Sequence, residues 1–161
     1  MRIKKSINLP AGHTHQNNHW NCGPAALNIA LGRQGWRTHF IDDLARVLNT
    51  TPEYGTKNRR MVAYVRRLLV DYEVVSPTSL HDLRRWLAGG YSVIVLYYDV
   101  YDRCGHFSVI TNISKGRVAL DDPWFGKGHS YSLNYFYKIW RDSENNRRWS
   151  LAFRRQSRRK Y

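Results

Sequence analysis

Apolar positions recur at helical spacing through the first half of the chain and at strand spacing through the second. Residues 1–20 show neither period; Pro10, Gly12 and the polar run HTHQNNH read as irregular. A helix is predicted to open near Cys22, because Pro24 suits a first helical turn, where its missing N–H costs nothing. Ala25, Ala26, Leu27, Ile29, Ala30 and Leu31 predict a largely buried helix, stopped at Gly32 or Gly35. IDDLARVLN reads as a short helix with Ile41, Leu44, Val47 and Leu48 inward, and TPEYGT as a turn. KNRRMVAYVRRLLVDY places Met61, Val62, Val65, Leu68 and Leu69 at helical spacing with arginines outside. SLHDLRRWL is a further helix, with Ser79 as cap and Asp82 as its capping-box partner. Its apolar face is Leu80, Leu83, Trp86 and Leu87.

After Gly89 and Gly90 the period changes. YSVIVLYY reads as a buried strand, and HFSVITNI with RVALDD as a hairpin about Ser114, Lys115 and Gly116. LNYFYKIW is a short helix and WSLAF alternates as a strand. Helices first and strands later predict the α+β class with an antiparallel sheet. No linker or internal repeat divides the 161 residues. One domain over residues 1–161 is therefore expected, with a basic C-terminal tail at about 154–161.

Composition narrows the function classes. No apolar run is long enough to span a bilayer; the longest, Tyr91 to Tyr98, is strand-sized. MRIKKSINLPAG is basic but lacks an apolar stretch, so it makes a poor signal peptide. A soluble protein is expected, with the compartment open between the cytoplasm and release. Two cysteines, Cys22 and Cys104, do not make a disulfide framework. Lys and Arg number 26 against 12 Asp and Glu, a formal charge of +14. Part of that excess lies in RRWSLAFRRQSRRKY. Such a surface predicts nonspecific affinity for polyanions, or acidic substrates. No zinc-finger spacing or RRM-like aromatic motif accompanies the charge, which argues against a dedicated nucleic-acid function.

Four positions carry candidate chemistry. Cys22 sits where a helix N-terminus favours a thiolate, and a neighbouring imidazolium would favour it further. His106 opens a strand in GHFSVI and could face Cys22 as proton acceptor and donor. Asp121 and Asp122 end the next strand, so one carboxylate could fix the imidazole tautomer. Strand alternation sends the two to opposite faces, so only one can easily serve. Gln16 has an amide donor that could pair with the Cys22 backbone N–H to hold an oxyanion.

The ordered set Q-x5-C-G-P-A, then G-H-F, then L-D-D-P-W resembles the C39-like branch of the papain-like cysteine peptidases. GTK before a helix, LHDLRRWLAGGYSVIVLYY and YSLNYFYKIW look familiar from the same family. The resemblance covers roughly residues 14–140. It implies a papain-like α+β fold, with an N-terminal helix carrying the nucleophile against an antiparallel sheet. It places the catalytic residues on Cys22, His106 and Asp122, the oxyanion glutamine on Gln16, and leaves Asp121 as the reserve triad member. It implies a peptide or protein substrate, no cofactor and no metal. Family members that trim double-glycine leaders are fused to a membrane exporter; this sequence shows no such segment, so that substrate does not carry over. Groove-lining loops are expected at Asp99 to Gly105 and Trp124 to His129, with Trp124 as a groove wall.

Other readings stay open. The same residues could run a deamidase or a transglutaminase-like acyl transfer, since the steps before the thioester are shared. His13, His15, His19 and Cys22 are possible zinc donors, though the spacing matches no compact zinc module. A non-catalytic module binding polyanions or protein through the basic surface is the third alternative. Cys104 lies two residues before His106, so both side chains share a face of an extended strand. It is either a strand-edge residue without a role or the partner of Cys22 in a reversible disulfide.

Overall fold

The computed structural model describes residues 13–143 and 145–156. Helix α1 (Cys22–Arg33) is followed by α2 (Ile41–Val47) and α3 (Asn58–Arg67), then strand β1 (Asp71–Val75) and helix α4 (Leu80–Ala88). Next come β2 (Ser92–Asp99), β3 (Cys104–Ser114), β4 (Arg117–Asp122), β5 (Gly126–Ser132), helix α5 (Leu133–Ile139) and β6 (Ser150–Arg154). The strands form one antiparallel sheet in the order β1-β6-β2-β3-β4-β5. The last strand is thus inserted between the first two.

Alternation along the strands divides the core in two. Ile94, Leu96, Phe107, Val109, Leu151 and Phe153 face one side and pack with α1, α2 and α3 through Leu27, Leu31, Leu44, Leu48, Met61 and Val65. Val93, Val95, Tyr97, Ile110, Val118 and Leu120 face the other and meet Leu83 and Trp86 of α4 and Phe136 and Trp140 of α5. Burial on both faces explains why β2 reads as a continuous apolar run rather than an alternating one. Among the described residues no helix is long and apolar enough to cross a membrane.

Local rules set several boundaries. Helix α1 ends with Gly35 at φ 77°, where glycine adopts the left-handed conformation without strain. The Ser79–Asp82 capping box closes in both directions. The β3–β4 hairpin turns on Lys115 and Gly116 at φ 51° and 71°, the two positive dihedrals that a tight hairpin turn requires.

Two segments depart from the sequence expectation. The helix expected to continue to Tyr72 stops at Arg67, because Leu69 takes φ 55° and is 84% exposed rather than inward. Asp71–Val75 then alternates half-buried and exposed as β1, held by pairing with β6. The loop expected from Trp124 to His129 is a turn only at its start; from Gly126 the chain is β5, paired with β4. Arg154, where the basic tail is expected to begin, is the last residue of β6. Residues 157–161, like 1–12, lie outside the described residues.

Candidate active site

The site forms where α1, β3 and β4 come together. Cys22 is the first residue of α1 and is 7% exposed. A helix's first N–H groups have no carbonyl one turn back to bind, so the Cys22 amide is a free donor at that position. The turn before it is built from asparagines. Asn18 Oδ1 accepts from the amides of Trp20 (3.1 Å) and Asn21 (2.9 Å), and Asn21 Nδ2 donates to Asn17 Oδ1 (2.8 Å). On its other side the turn rests on Thr56: a Cβ added at Gly23 would overlap the Thr56 side chain.

His106 lies on β3 opposite Tyr97 of β2, and cross-strand partners present their side chains to the same face. His106 is 5% exposed. Its Nε2 donates to Asp122 at 2.9 Å to Oδ1 and 3.1 Å to Oδ2. Cys22 lies within hydrogen-bonding reach of the same ring. With Nε2 committed to Asp122, Nδ1 is the nitrogen left free to serve the thiol. Burial works against the imidazolium, but hydrogen bonds to Asp122 and Cys22 and the charges of both outweigh it and push the ring up to about 10.

Asp122 is fully buried at the end of β4. Its Oδ1 also accepts from the amides of Trp124 (2.8 Å) and Phe125 (3.0 Å), and its Oδ2 from the Tyr97 hydroxyl (2.8 Å). Burial raises this carboxyl, yet the His106 hydrogen bond and charge and the two amides hold it well below the usual carboxylate range. The segment bearing Gln16 is stitched to the same turn. His13 Nε2 donates to the Asp122 carbonyl (2.8 Å), and the Gln16 amide to the Pro123 carbonyl (2.9 Å). The Gln16 side chain donates one N–H to the Asn18 carbonyl at 2.7 Å, which leaves its second N–H unused. Gln16 Oε1 is buried without a partner.

The structure therefore brings Asp122, through hydrogen bonds, and Cys22, through its effect on the ring, to the same His106 imidazole, with Gln16 on the adjoining segment. It does not bring Asp121 there. That residue points to the opposite face, toward Arg33 of α1 (3.6 Å) and the Gly128 amide (3.2 Å). Trp124 is half-exposed, with its ring against His19 at 5.1 Å between centroids. The four residues considered for zinc do not converge on one point: His13 binds the Asp122 carbonyl, His15 sits edge-on to His13, His19 lies against Trp124 and Cys22 acts on His106. Among the described residues no group of three or more potential ligands is placed to hold a metal ion. Cys22 and Cys104 are both free thiols. Shielding of its sulfur, then the charges of Cys22, Asp102 and Asp99, push Cys104 up to about 11.

Comparison with known proteins decides the family: the sequence matches the Peptidase C39 family over residues 11–143. The chain belongs to the Peptidase C39 family. It is a cysteine peptidase with the papain-like fold. The peptidase domain of Streptococcus ComA, a bifunctional ABC transporter involved in quorum sensing, aligns with a TM-score of 0.70 at 17% identity, covering 91% of this chain and 100% of that one. A C39-like peptidase from Bacillus anthracis aligns with a TM-score of 0.73 at 12% identity, covering 92% and 96%. A double-glycine-motif protease from an AMS/PCAT transporter, in complex with its leader peptide, aligns with a TM-score of 0.64 at 13% identity, covering 88% and 89%. At these identities the likeness is one of fold. A comparison with curated proteins finds no match.

Sequence reasoning passed over Tyr97 and His13 as parts of this C39 site. The signal for Tyr97 was the adjacency of two predicted strands, which sets the end of YSVIVLYY beside the start of HFSVITNI. His13 was weighed only as a metal ligand, whereas its ring secures the backbone of Asp122.

Proposed function

We propose that this C39 peptidase hydrolyses a peptide bond in a peptide or protein substrate through a thioester on Cys22. The observation that carries the reading is the His106 ring, held by Asp122 through Nε2 while Cys22 raises the same ring's pKa. The Cys22 thiolate, paired with the His106 imidazolium, attacks the scissile carbonyl. The oxyanion is held by the Cys22 backbone N–H and the second Gln16 side-chain N–H. His106 passes its proton to the leaving amine. It then takes one from the water that opens the thioester, which releases the acid and restores the thiolate. Asp122 keeps the ring in the tautomer that this sequence needs.

The test is turnover of peptide libraries with products identified by mass. Fragments that together equal the substrate plus one water are expected. Cys22→Ala should abolish cleavage. Gln16→Ala should lower kcat roughly a hundredfold with KM little changed, the usual consequence of losing one oxyanion donor. Cleavage undiminished in Cys22→Ala, or a substrate kept whole with one side-chain amide converted to acid, would contradict the reading.

A further inference from the structure

Cavities away from the Cys22–His106 pair carry charged side chains and differ in how that charge is balanced. One, lined by His13, His15, His39 and Phe40, also includes Asp42. A second sets Arg33 and Lys127 beside Asp121, which pairs with Arg33. A third lies between α2 and α3 and has a volume of about 420 Å³. Arg46, Lys57, Arg59 and Arg60 line it together with Asn49, Thr50, Thr51 and Tyr54, and no carboxylate does.

All four cations are exposed. Arg46 has a carboxylate partner, Asp43 at 2.7 Å, and the Lys57 ammonium sits over the Tyr54 ring at 5.6 Å. Arg59 and Arg60 form no ion pair among the described residues. The acidic residue of the intervening turn, Glu53, is exposed and does not line the cavity. Like charges around one concavity repel each other and raise the local potential, and an anionic ligand relieves both. The asparagine, threonine and tyrosine side chains add neutral donors, and guanidinium groups bind carboxylates through charge-assisted pairs.

The cavity is joined to the nucleophile's turn by a short path. Thr51 and Gly55 close the turn by exchanging backbone hydrogen bonds at 3.1 and 2.8 Å. Thr50 and Thr56 share a hydroxyl hydrogen bond at 2.7 Å, and the buried Thr56 packs on Gly23, next to Cys22. Gly55 faces the Trp20 carbonyl. One face of this turn thus floors the basic cavity while the other supports the start of α1. The cavity is thus separated from the nucleophile's segment by this one turn.

We infer that the α2–α3 cavity binds an acidic segment of the substrate, flanking the bond that is cleaved. This rests on the peptidase reading above and adds the substrate class. A peptide is favoured over nucleic acid because the cavity is compact. Its one aromatic residue, Tyr54, is engaged by Lys57, so there is no row of stacking platforms for bases.

The experiment uses the full chain carrying Cys22→Ala, so that binding is read without turnover and does not depend on the cleavage chemistry. Fluorescein-labelled hexaglutamate and hexaglutamine peptides serve as probes in anisotropy titrations. Lys57→Gln, Arg59→Gln and Arg60→Gln together remove three cavity charges. Arg66→Gln, Arg67→Gln and Arg84→Gln remove three exposed charges elsewhere. Hexaglutamate should bind, hexaglutamine should not, and the cavity triple should weaken binding by about tenfold or more while the control triple changes it less than about twofold. Arg59→Gln alone should give part of the loss, which guards against a triple variant that folds poorly. Equal weakening by both triples would overturn the site in favour of diffuse attraction to a basic protein. Tighter, cavity-dependent binding of an oligothymidylate strand would overturn the peptide assignment in favour of nucleic acid. Either result would leave the cleavage assay of the preceding section to be judged on its own.

Discussion

Asp122 Oδ1 accepts from His106 and from the Trp124 and Phe125 amides, while Oδ2 accepts from Tyr97 and His106. A carboxylate surrounded by donors in a dry setting stays ionised. That fixed charge is one reason the His106 ring is pushed up to about 10 despite its burial. The consequence for pH follows from the sign of the shift. A raised folded value stabilises the native state below the unfolded value of about 6.5, and the stabilisation is lost as pH climbs toward the folded value. Native stability should therefore fall between about pH 6.5 and 10, and the alkaline limb of turnover should lie near the upper end. Asp122→Asn keeps the side chain's size but removes its charge. It should move that limb toward the ordinary imidazole range and flatten the stability slope, read by pH–rate profiles and urea titrations. An alkaline limb unmoved by Asp122→Asn would separate the carboxylate from the histidine's proton.

The elements hold these residues in register, and the tightest point is the seat of α1. Because a Cβ at Gly23 would run into Thr56, Gly23→Ala should destabilise the protein by about 1–3 kcal/mol. It should also lower turnover by shifting Cys22, and Thr56→Gly in the same chain should recover part of both. Thermal melts and steady-state assays on the single and double variants check this. Much of the architecture was legible at this scale. Pro24 marked the start of α1, Ser79 with Asp82 marked α4, and the continuous apolar run at YSVIVLYY marked a strand covered on both faces. The positions of His106 and of the LDDP aspartates at strand ends came from the same alternation. What escaped was set by tertiary contact. VDY reads as the end of the preceding helix, yet Leu69 turns left-handed ahead of it, and Asp71–Val75 becomes β1 because β6 returns to pair with it. GKGHSYS has the composition of a loop, and it is a strand because β4 offers it an edge. Tyr97 was hidden for a related reason: its hydroxyl lies in a core that only the folded sheet defines.

At the scale of the molecule, the matched family region ends at residue 143, yet β6 lies beyond it at Ser150–Arg154. That strand separates β1 from β2 and pairs with both, and Leu151 and Phe153 enter one core cluster while Ala152 enters the other. The folding unit accordingly extends through β6. A chain ending at residue 143 should fail to unfold cooperatively in urea, whereas one ending at residue 156 should match the full chain. Cooperative folding of the shorter chain would contradict this account of the sheet. The excess of cationic side chains belongs to the same scale. In the α2–α3 cavity four of these cations line one concavity, where Arg46 pairs with Asp43 while Arg59 and Arg60 form no ion pair among the described residues.

The activated pair itself can be tested before any substrate is known, by alkylation with an iodoacetamide probe between about pH 4 and 9, followed by peptide mapping. Cys22 should be modified faster than Cys104 across this range, since Cys104 is pushed up to about 11. The Cys22 rate should collapse in His106→Ala. A Cys22 rate no faster than that of Cys104, and that His106→Ala leaves unchanged, would contradict the Cys22–His106 mechanism at its root.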